Sequence, residues 1–500
     1  MYHYYKPLRN FAQKLELQNS LVALWHYSQN LDNDKAVSSE FANINPTGRA
    51  TLRGLVHPWE LDILSREVIL NAAPSSSDGK DLYRVRDLIA AVNLIRKLQD
   101  KQRDLAPGDV ILHEMHRLAQ QQFPWQRSLH IKLARFHRIY RESNLNALIA
   151  DRTGLTVSQY YLMGVAMAGA LLNKPYFNLS QSYRELGIDD TLRNVFFQKI
   201  MFPLADLRER TKSVQEYNGN WSYTINPLRK TPLVILPNSP AVAFCPIPRF
   251  LLERISDGIF YDFTEIPGFE DVYGAAYENY VGEIAVELAS NKLEVKKLEP
   301  YMIKKAQKHG ADWAILDSES VLLVEAKAKR LNLRARYEFD TAAIDQEMDK
   351  LAKFVVQNYK NLADIKDGHT DFDVGSRKVF PVIVTLVEWL LFNPQSRSIL
   401  EKLVRQRLSD AGLPESLLID HPFTVMSIDE FETGIQVMNE VGIAKCMDKK
   451  CSSEHISWQM APFLLSEFKE LTDRASVTYL NSEMDRVIAD AEEYVRVNKA

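Results

Sequence analysis

Val321-Leu322-Leu323-Val324 is an unbroken apolar run that stops at Glu325, and it constrains the fold of this chain more than any other segment. Successive side chains of a strand point to opposite faces, so a continuous apolar run predicts a strand covered on both sides. A polar turn, Asp317-Ser318-Glu319-Ser320, precedes it, and a second apolar run lies before the turn. Together these predict a hairpin over 311–327, with Asp312 beginning its first strand. Glu325 and Lys327 lie two apart and share one face, whereas Ala326 turns the other way, into the core. A carboxylate and an ammonium at the end of a buried strand need partners or a metal. Asp312 on the neighbouring strand supplies a second carboxylate. Two carboxylates and a backbone carbonyl make an oxygen-rich site suited to Mg²⁺. Lys327 carries three donors with which to orient a water or steady a phosphate.

Strands and helices alternate around this hairpin. The pattern predicts a helix over 271–290, a long helix over 341–362, an apolar strand over 379–387, a helix over 396–411 and a strand over 423–427, which together imply an α/β layer structure. The first half of the chain reads as helices. In 82–98, Leu82, Val85, Ile89, Val92 and Ile95 recur at helical spacing, the stretch 73–79 reads as a loop, and a further helix is expected after Pro107-Gly108-Asp109 with Asp109 as its cap. Pro227, Pro232, Pro237, Pro240, Pro246 and Pro248 then crowd together around two short strand-like runs, 233–236 and 241–244. This change of texture places the expected domain boundary near residue 230. The stretch 458–500 reads as helical, with Met484, Val487, Ala491 and Tyr494 on one face. The predicted division is a helical region 1–230, an α/β domain 231–440 and a helical extension 441–500.

A chain of 500 residues is long enough for two to four domains. Lysine and arginine number 61 against 65 aspartates and glutamates, so a uniformly basic nucleic-acid binder is excluded and a local basic patch is not. Cys245, Cys446 and Cys451 are too few for a disulfide framework, which fits a reducing compartment. The amino terminus carries no apolar signal region and no run approaches a membrane span, so a soluble cytoplasmic protein without membrane contact is expected.

Asp312, the hairpin, and then Glu325-Ala326-Lys327 resemble the PD-(D/E)xK nuclease superfamily, with its restriction-endonuclease-like fold. Upstream, Gly274-Ala275-Ala276-Tyr277-Glu278-Asn279-Tyr280-Val281-Gly282 resembles the helix that opens this core in resolvase-like and defence-associated members, where a glutamate joins the metal site. Val324-Glu325-Ala326-Lys327 resembles the family's central strand. The resemblance spans about 270–430 and is densest at 274–329. It implies a mixed sheet flanked by helices and hydrolysis of phosphodiesters with Mg²⁺ or Mn²⁺. It implies Asp312, Glu325, Glu278 and the Ala326 carbonyl as metal ligands, and Lys327 as the lysine that positions water. Ala311 stands where the family name has proline. By analogy, a nuclease with a large helical appendage resembles bacterial anti-phage or restriction effectors, with DNA the favoured substrate. A surface hairpin whose Glu325 and Lys327 form a solvated pair is the competing reading.

Two glutamates compete on the opening helix. Gly274, Ala275 and Gly282 surround Glu278 and leave room for a close approach, whereas Glu283 shares a polar stripe with Asn279 and Glu287. Glu278 is therefore the expected functional residue. Lys329, Arg330, Arg334 and Arg336 follow the motif, and Lys350 and Lys353 lie on the outer side of the next helix. All six are candidates for holding a nucleic-acid backbone, and a solvated charged surface explains them about as well. Residues 145–165 match a helix-turn-helix preceded by a basic helix with Arg127, Lys132, Arg135, Arg138 and Arg141. A nucleic-acid-binding regulator built on that motif, or a catalytically inactive nuclease fold, is the alternative to an enzyme. The helical region is also the expected place for a protein partner or a second copy of the chain. Cys446, Cys451 and His455 lack a fourth zinc ligand and read as ordinary residues. No Gly-rich phosphate loop is present, so no NTPase activity is expected.

Overall fold

The structure is a computed structural model, and it describes residues 1–75, 79–104, 111–290, 292–338, 340–389, 394–487, 489 and 496. The expected cap Asp109, part of the 73–79 loop, and Ala491 and Tyr494 lie outside the described residues. The chain divides into two units. One comprises 1–266, 337–339 and 482–500, and the other comprises 267–336 and 340–481.

The first unit is built largely of helices. Tyr2–Ala12, Leu17–Asn33, Pro58–Asn71 and Val85–Asp104 bury Leu8, Leu21, Leu64, Val68, Leu88 and Val92 together. A small sheet completes it: β1 (Tyr176–Asn178), β2 (Met201–Pro203), β3 (Leu233–Ile235) and β4 (Val242–Phe244), in the order β1-β4-β3-β2. The proline-rich stretch is therefore not a linker. Its short strands pair with segments far back in the chain, and Leu228, Val234, Leu236, Phe244, Ile247 and Phe250 enter the same core as the amino-terminal helices. The boundary accordingly falls at 266/267 and not near 230. The predicted extension 441–500 is also divided, because 441–481 belong to the second unit and 482–500 to the first.

The helix-turn-helix expectation also changes. Ser143–Thr153 and Val157–Leu171 are two helices joined through Gly154, whose φ of 72° suits glycine, and Thr156 caps the second. That second helix carries no charge and buries Val157, Tyr160, Tyr161, Met163, Met167 and Leu171. A Cβ on Gly164 would fall 2.5 Å from Ile255, so that side of the helix is packed core, and the side left partly exposed, with Ser158, Leu162 and Val165, carries no charge for a phosphate backbone. The basic residues before it are partly engaged: Arg135 is buried, Lys132 pairs with Asp257 at 3.0 Å, Arg141 pairs with Glu483 at 2.7 Å, and Arg127 and Arg138 are half-buried.

The second unit opens with helix α1 (Phe269–Leu288), followed by β5 (Glu294–Lys297), a hairpin of β6 (Tyr301–Ile303) and β7 (Ala306–Lys308), β8 (Trp313–Leu316) and β9 (Ser320–Lys327). Helix α2 (Thr341–Lys366) leads to β10 (Lys378–Thr385), and the helix Pro394–Asp410 leads to β11 (Thr424–Ser427) and α3 (Ile428–Val441). The sheet order is β11-β10-β9-β8-β5, antiparallel from β5 to β9 and parallel from β9 to β11. Strand β9 is central, and Val321, Leu322, Leu323 and Val324 are wholly buried, as the continuous run requires. Pro381 is tolerated in β10 because β11 pairs only from Val382 onward. Helix α2 and Pro394–Asp410 cover the face of Leu323 and Ile383 with Leu351, Val355, Leu362, Leu400 and Val404. Helices α1 and α3 pack together and reach β9 and β10, and the Tyr280 hydroxyl donates to Glu432 at 2.7 Å. Among the described residues, no helix is long and apolar enough to cross a membrane.

These packing facts set the expected outcome of limited proteolysis. Thr264, Glu265, Pro267 and Gly268 are exposed between the units, whereas Thr231, Leu233, Val234 and Ala243 are buried. Early cleavage should fall within 264–268, and 231–236 and 243–250 should stay intact, as read by mass spectrometry of the first fragments. First cuts inside 231–236 or 243–250 would contradict the described core.

Candidate catalytic site at the end of strand β9

Strand β9 loses its two neighbours at different points. Strand β10 stays paired out to Thr385 opposite Lys327, whereas pairing with β8 ends at Trp313 opposite Val324. One residue further, the Asp312 N–H still donates to the Val324 carbonyl at 3.1 Å. The Asp312 side chain then takes the place of the strand, and its Oδ2 accepts the Ala326 N–H at 2.7 Å. The carboxylate is thereby fixed by backbone, beside Glu325.

Glu325 is 3% exposed. Its Oε1 accepts from Lys327 Nζ at 2.6 Å, and its Oε2 is buried without a hydrogen-bond donor. Lys327 Nζ also lies 5.5 Å from the ring centre of Phe354 on α2. The pair is thus not the solvated one of the competing reading. Burial pushes the Asp312 carboxyl well above the ordinary carboxylate range, and the charges of Glu325 and Glu278 add to the rise. Burial raises the Glu325 carboxyl too, although Lys327 opposes it. Burial would lower the Lys327 ammonium, but Glu325 and Asp312 more than reverse this and raise it. Burial and mutual repulsion thus press both carboxyls toward their neutral form, against the pull of Lys327.

Glu278 adds its charge from α1. Its carboxylate lies 3.7 Å from Lys297 Nζ on β5, and its backbone carbonyl accepts the Trp313 indole N–H at 3.0 Å. Glu283 is exposed to solvent. The small residues around Glu278 have a different use from the expected one at Gly282. A Cβ there would fall 1.9 Å from the Trp313 ring, so Gly282 makes room for Trp313 and not for a ligand, whereas Gly274 faces open space.

The six basic candidates divide. Arg330 donates to the Tyr273 hydroxyl at 3.0 Å, Arg334 pairs with Asp340 at 2.6 Å, and Lys350 pairs with buried Glu347 at 2.7 Å. Lys353 is exposed 3.8 Å from Asp349, which Arg407 already holds at 2.6 Å. Lys329 and Arg336 are half-buried. Elsewhere in this unit Cys446 is buried, and His455 packs against the rings of Trp458 and Phe463. Between the cysteines, burial pushes the Lys450 ammonium down to about 8, and its Nζ donates to the carbonyls of His455 and Ile456.

No known family, curated protein or solved structure matches the chain. What the site can do therefore rests on its own chemistry. Among the described residues, no group of three or more His, Cys, Asp and Glu side chains is placed to hold a metal ion. The available donors are the Asp312 and Glu325 carboxylates with the Ala326 carbonyl, and Glu325 Oε2 lacks any other partner. Mg²⁺ suits such a set, since it is commonly bound through one or two carboxylates and keeps several waters.

The raised Asp312 carboxyl has a stability signature. A carboxyl whose folded pKa is raised contributes fully below the unfolded value of about 4, and its contribution is lost as pH rises through the folded value. Asp312→Asn keeps the shape and an acceptor for the Ala326 N–H while removing that titration. In chelator, the variant should melt higher than the parent at pH 7–8, and the difference should vanish near pH 4. A variant that melts lower at neutral pH would show that the carboxylate is compensated. Gly282→Ala should destabilise the fold by about 1–3 kcal/mol through overpacking against Trp313, measured by urea denaturation.

Proposed function

We propose that the chain is a metal-dependent nuclease that hydrolyses phosphodiester bonds of nucleic acid, with DNA the favoured substrate and Mg²⁺ or Mn²⁺ the cofactor. The observation that carries this reading is the meeting of Asp312 and Glu325 at the end of β9. Both are raised carboxylates, one buried oxygen has no donor, and the Lys327 ammonium lies 2.6 Å from the other. The order helix, three antiparallel strands, helix, parallel strand supports a restriction-endonuclease-like arrangement, with α1 carrying Glu278 and β9 as the central strand. A role in antiviral defence or restriction follows by analogy with such enzymes.

When bound, the cation would supply acidification of water and neutralisation of charge building on the phosphate. The chain supplies the rest. The Ala326 N–H fixes Asp312 in one orientation, and Glu325 Oε2 is free to ligate. The Lys327 ammonium, 2.6 Å from Glu325 Oε1, would be the group that orients the attacking water or steadies the phosphate. Because its pKa is raised, Lys327 acts as a donor and not as a base. The proton of the attacking water must pass to a carboxylate or to solvent.

The test is incubation of the full chain with plasmid and RNA under Mg²⁺, Mn²⁺ or chelator. Cleavage is expected with either metal and not with chelator. Asp312→Ala, Glu325→Ala and Lys327→Ala should each lower the rate on the order of 10²–10³-fold. Glu278→Gln should also cripple cleavage, and Glu283→Gln should not. Mg²⁺ should raise the melting temperature of the parent and leave Asp312→Ala unmoved. Full activity in a folded Asp312→Ala or Lys327→Ala chain would overturn the assignment.

A further inference from the structure

A small cavity of about 30 Å³ lies beside β11, the edge strand of the second unit's sheet, with Arg397 of the helix Pro394–Asp410 and residues 456–459 in its wall. A single water needs about 10–15 Å³ on this scale, so the space suits one small group. The wall follows β11 from Thr424 to Ser427. Through β10 these residues are level with Val324 to Lys327 of β9, and Thr385, which pairs with both Lys327 and Ser427, also lines the cavity. The cavity is therefore level with the candidate catalytic cluster and two strands away from it.

Two cations line it, Lys450 and Arg397. Lys450 is 3% exposed, and its Nζ donates only to the carbonyls of His455 and Ile456. Among the described residues no carboxylate forms an ion pair with it. Glu430, the one acid in the cavity wall, is already engaged: its Oε2 accepts from the N–H and hydroxyl of Ser427, and its Oε1 accepts the Ala461 N–H at 2.9 Å. A buried cation without a counter-charge is unfavourable. Burial accordingly pushes the Lys450 ammonium down, and the Arg397 charge adds to the fall. Arg397 lies over the Phe423 ring, gives Nε to Glu401 at 2.7 Å and gives Nη1 to the Phe423 carbonyl at 3.2 Å. Its Nη2 has no partner among the described residues, and its side chain stays 12% exposed.

We propose that this cavity is an anion site that seats the terminal phosphate of a nucleic-acid strand. The proposal rests on the nuclease reading for its ligand. A terminal phosphate carries about two charges and three acceptor oxygens, which match an ammonium and a guanidinium with N–H groups to spare. An internal phosphate carries one charge and has chain on both sides, so it suits a small cavity poorly. Ser457, Trp458 and Gln459 form the partly exposed side of the wall, where the attached nucleotide would leave. The Trp458 ring, 41% exposed, is available there to stack on a base. Two strand spacings separate β11 from β9, about 10 Å. A strand end held here would place the cut a few nucleotides from that end.

Calorimetric titration of the full chain in chelator at pH 7 tests this without requiring cleavage. The probes are one short single-stranded DNA with a 5′-phosphate, with a 3′-phosphate or with hydroxyl ends, and inorganic phosphate. One phosphorylated form should bind on the order of ten-fold more tightly than the hydroxyl form. Arg397→Gln and Lys450→Met should each remove that margin, and Asp312→Asn should keep it. Arg397→Gln alone decides the matter if the Lys450 variant does not fold. Equal binding of all three DNAs, or a margin that survives in Arg397→Gln, overturns the proposal even if DNA is cut. Arg397-dependent binding of inorganic phosphate with no preference among the DNAs also overturns it, and assigns the cavity to free phosphate. A margin that depends on Arg397, in a chain that cuts nothing when Mg²⁺ is added, supports the site and removes the nuclease reading.

Discussion

The second unit depends on one strand being covered from both sides. Strand β9 pairs with β8 and β10 and is packed above and below, so whatever side chains stand at its end are drawn out of water with it. For Val321–Val324 this is the hydrophobic effect at work. For Glu325 it is a penalty, because an ionised carboxylate with one oxygen lacking a donor is unfavourable in that position. The fold does not relieve the penalty; it adds to it by fixing Asp312 alongside through the Ala326 amide and by bringing Glu278 near. Lys327 answers part of this charge. The proposed cation site rests on this cluster of buried carboxyls at the end of a packed strand.

The surrounding elements hold this arrangement in place. Gly282 lets the Trp313 ring lie against α1, and Trp313 in turn donates to the Glu278 carbonyl, which ties the helix to the start of β8 next to Asp312. On the other face, Phe354 of α2 meets the Lys327 ammonium. Sites positioned by strands and helices are held more tightly than sites on loops. Here each of the four expected residues stands on, or one residue from, a strand or helix.

Much of this was legible in the sequence because the signals were local. An apolar run, a polar turn and two charges at spacing two are enough to write the hairpin, and helical spacing is enough to set α1 and α2. The small sheet of the first unit was not legible, because β3 and β4 are three residues each and their partners lie at 176–178 and 201–203. Prolines near 230 mark turns there, and tertiary pairing decides that those turns are buried. The helix pair near 145–165 was read from its turn, yet the uncharged composition of Val157–Leu171 already pointed to core. The cavity beside β11 carried no local signal, because its two cations, Arg397 and Lys450, come together only through the fold. Strand β5 and the β6–β7 hairpin carried no alternation strong enough to be read. Nor could spacing show that Arg334 and Lys350 are engaged with Asp340 and Glu347.

A divalent cation between Asp312 and Glu325, as proposed, would be seen by anomalous diffraction from crystals soaked in Mn²⁺. The expected result is an anomalous peak in contact with Asp312, Glu325 Oε2 and the Ala326 carbonyl, with the Lys327 ammonium moved away from Glu325. Crystals saturated with Mn²⁺ that show no peak there, and Lys327 still closed on Glu325, would contradict it.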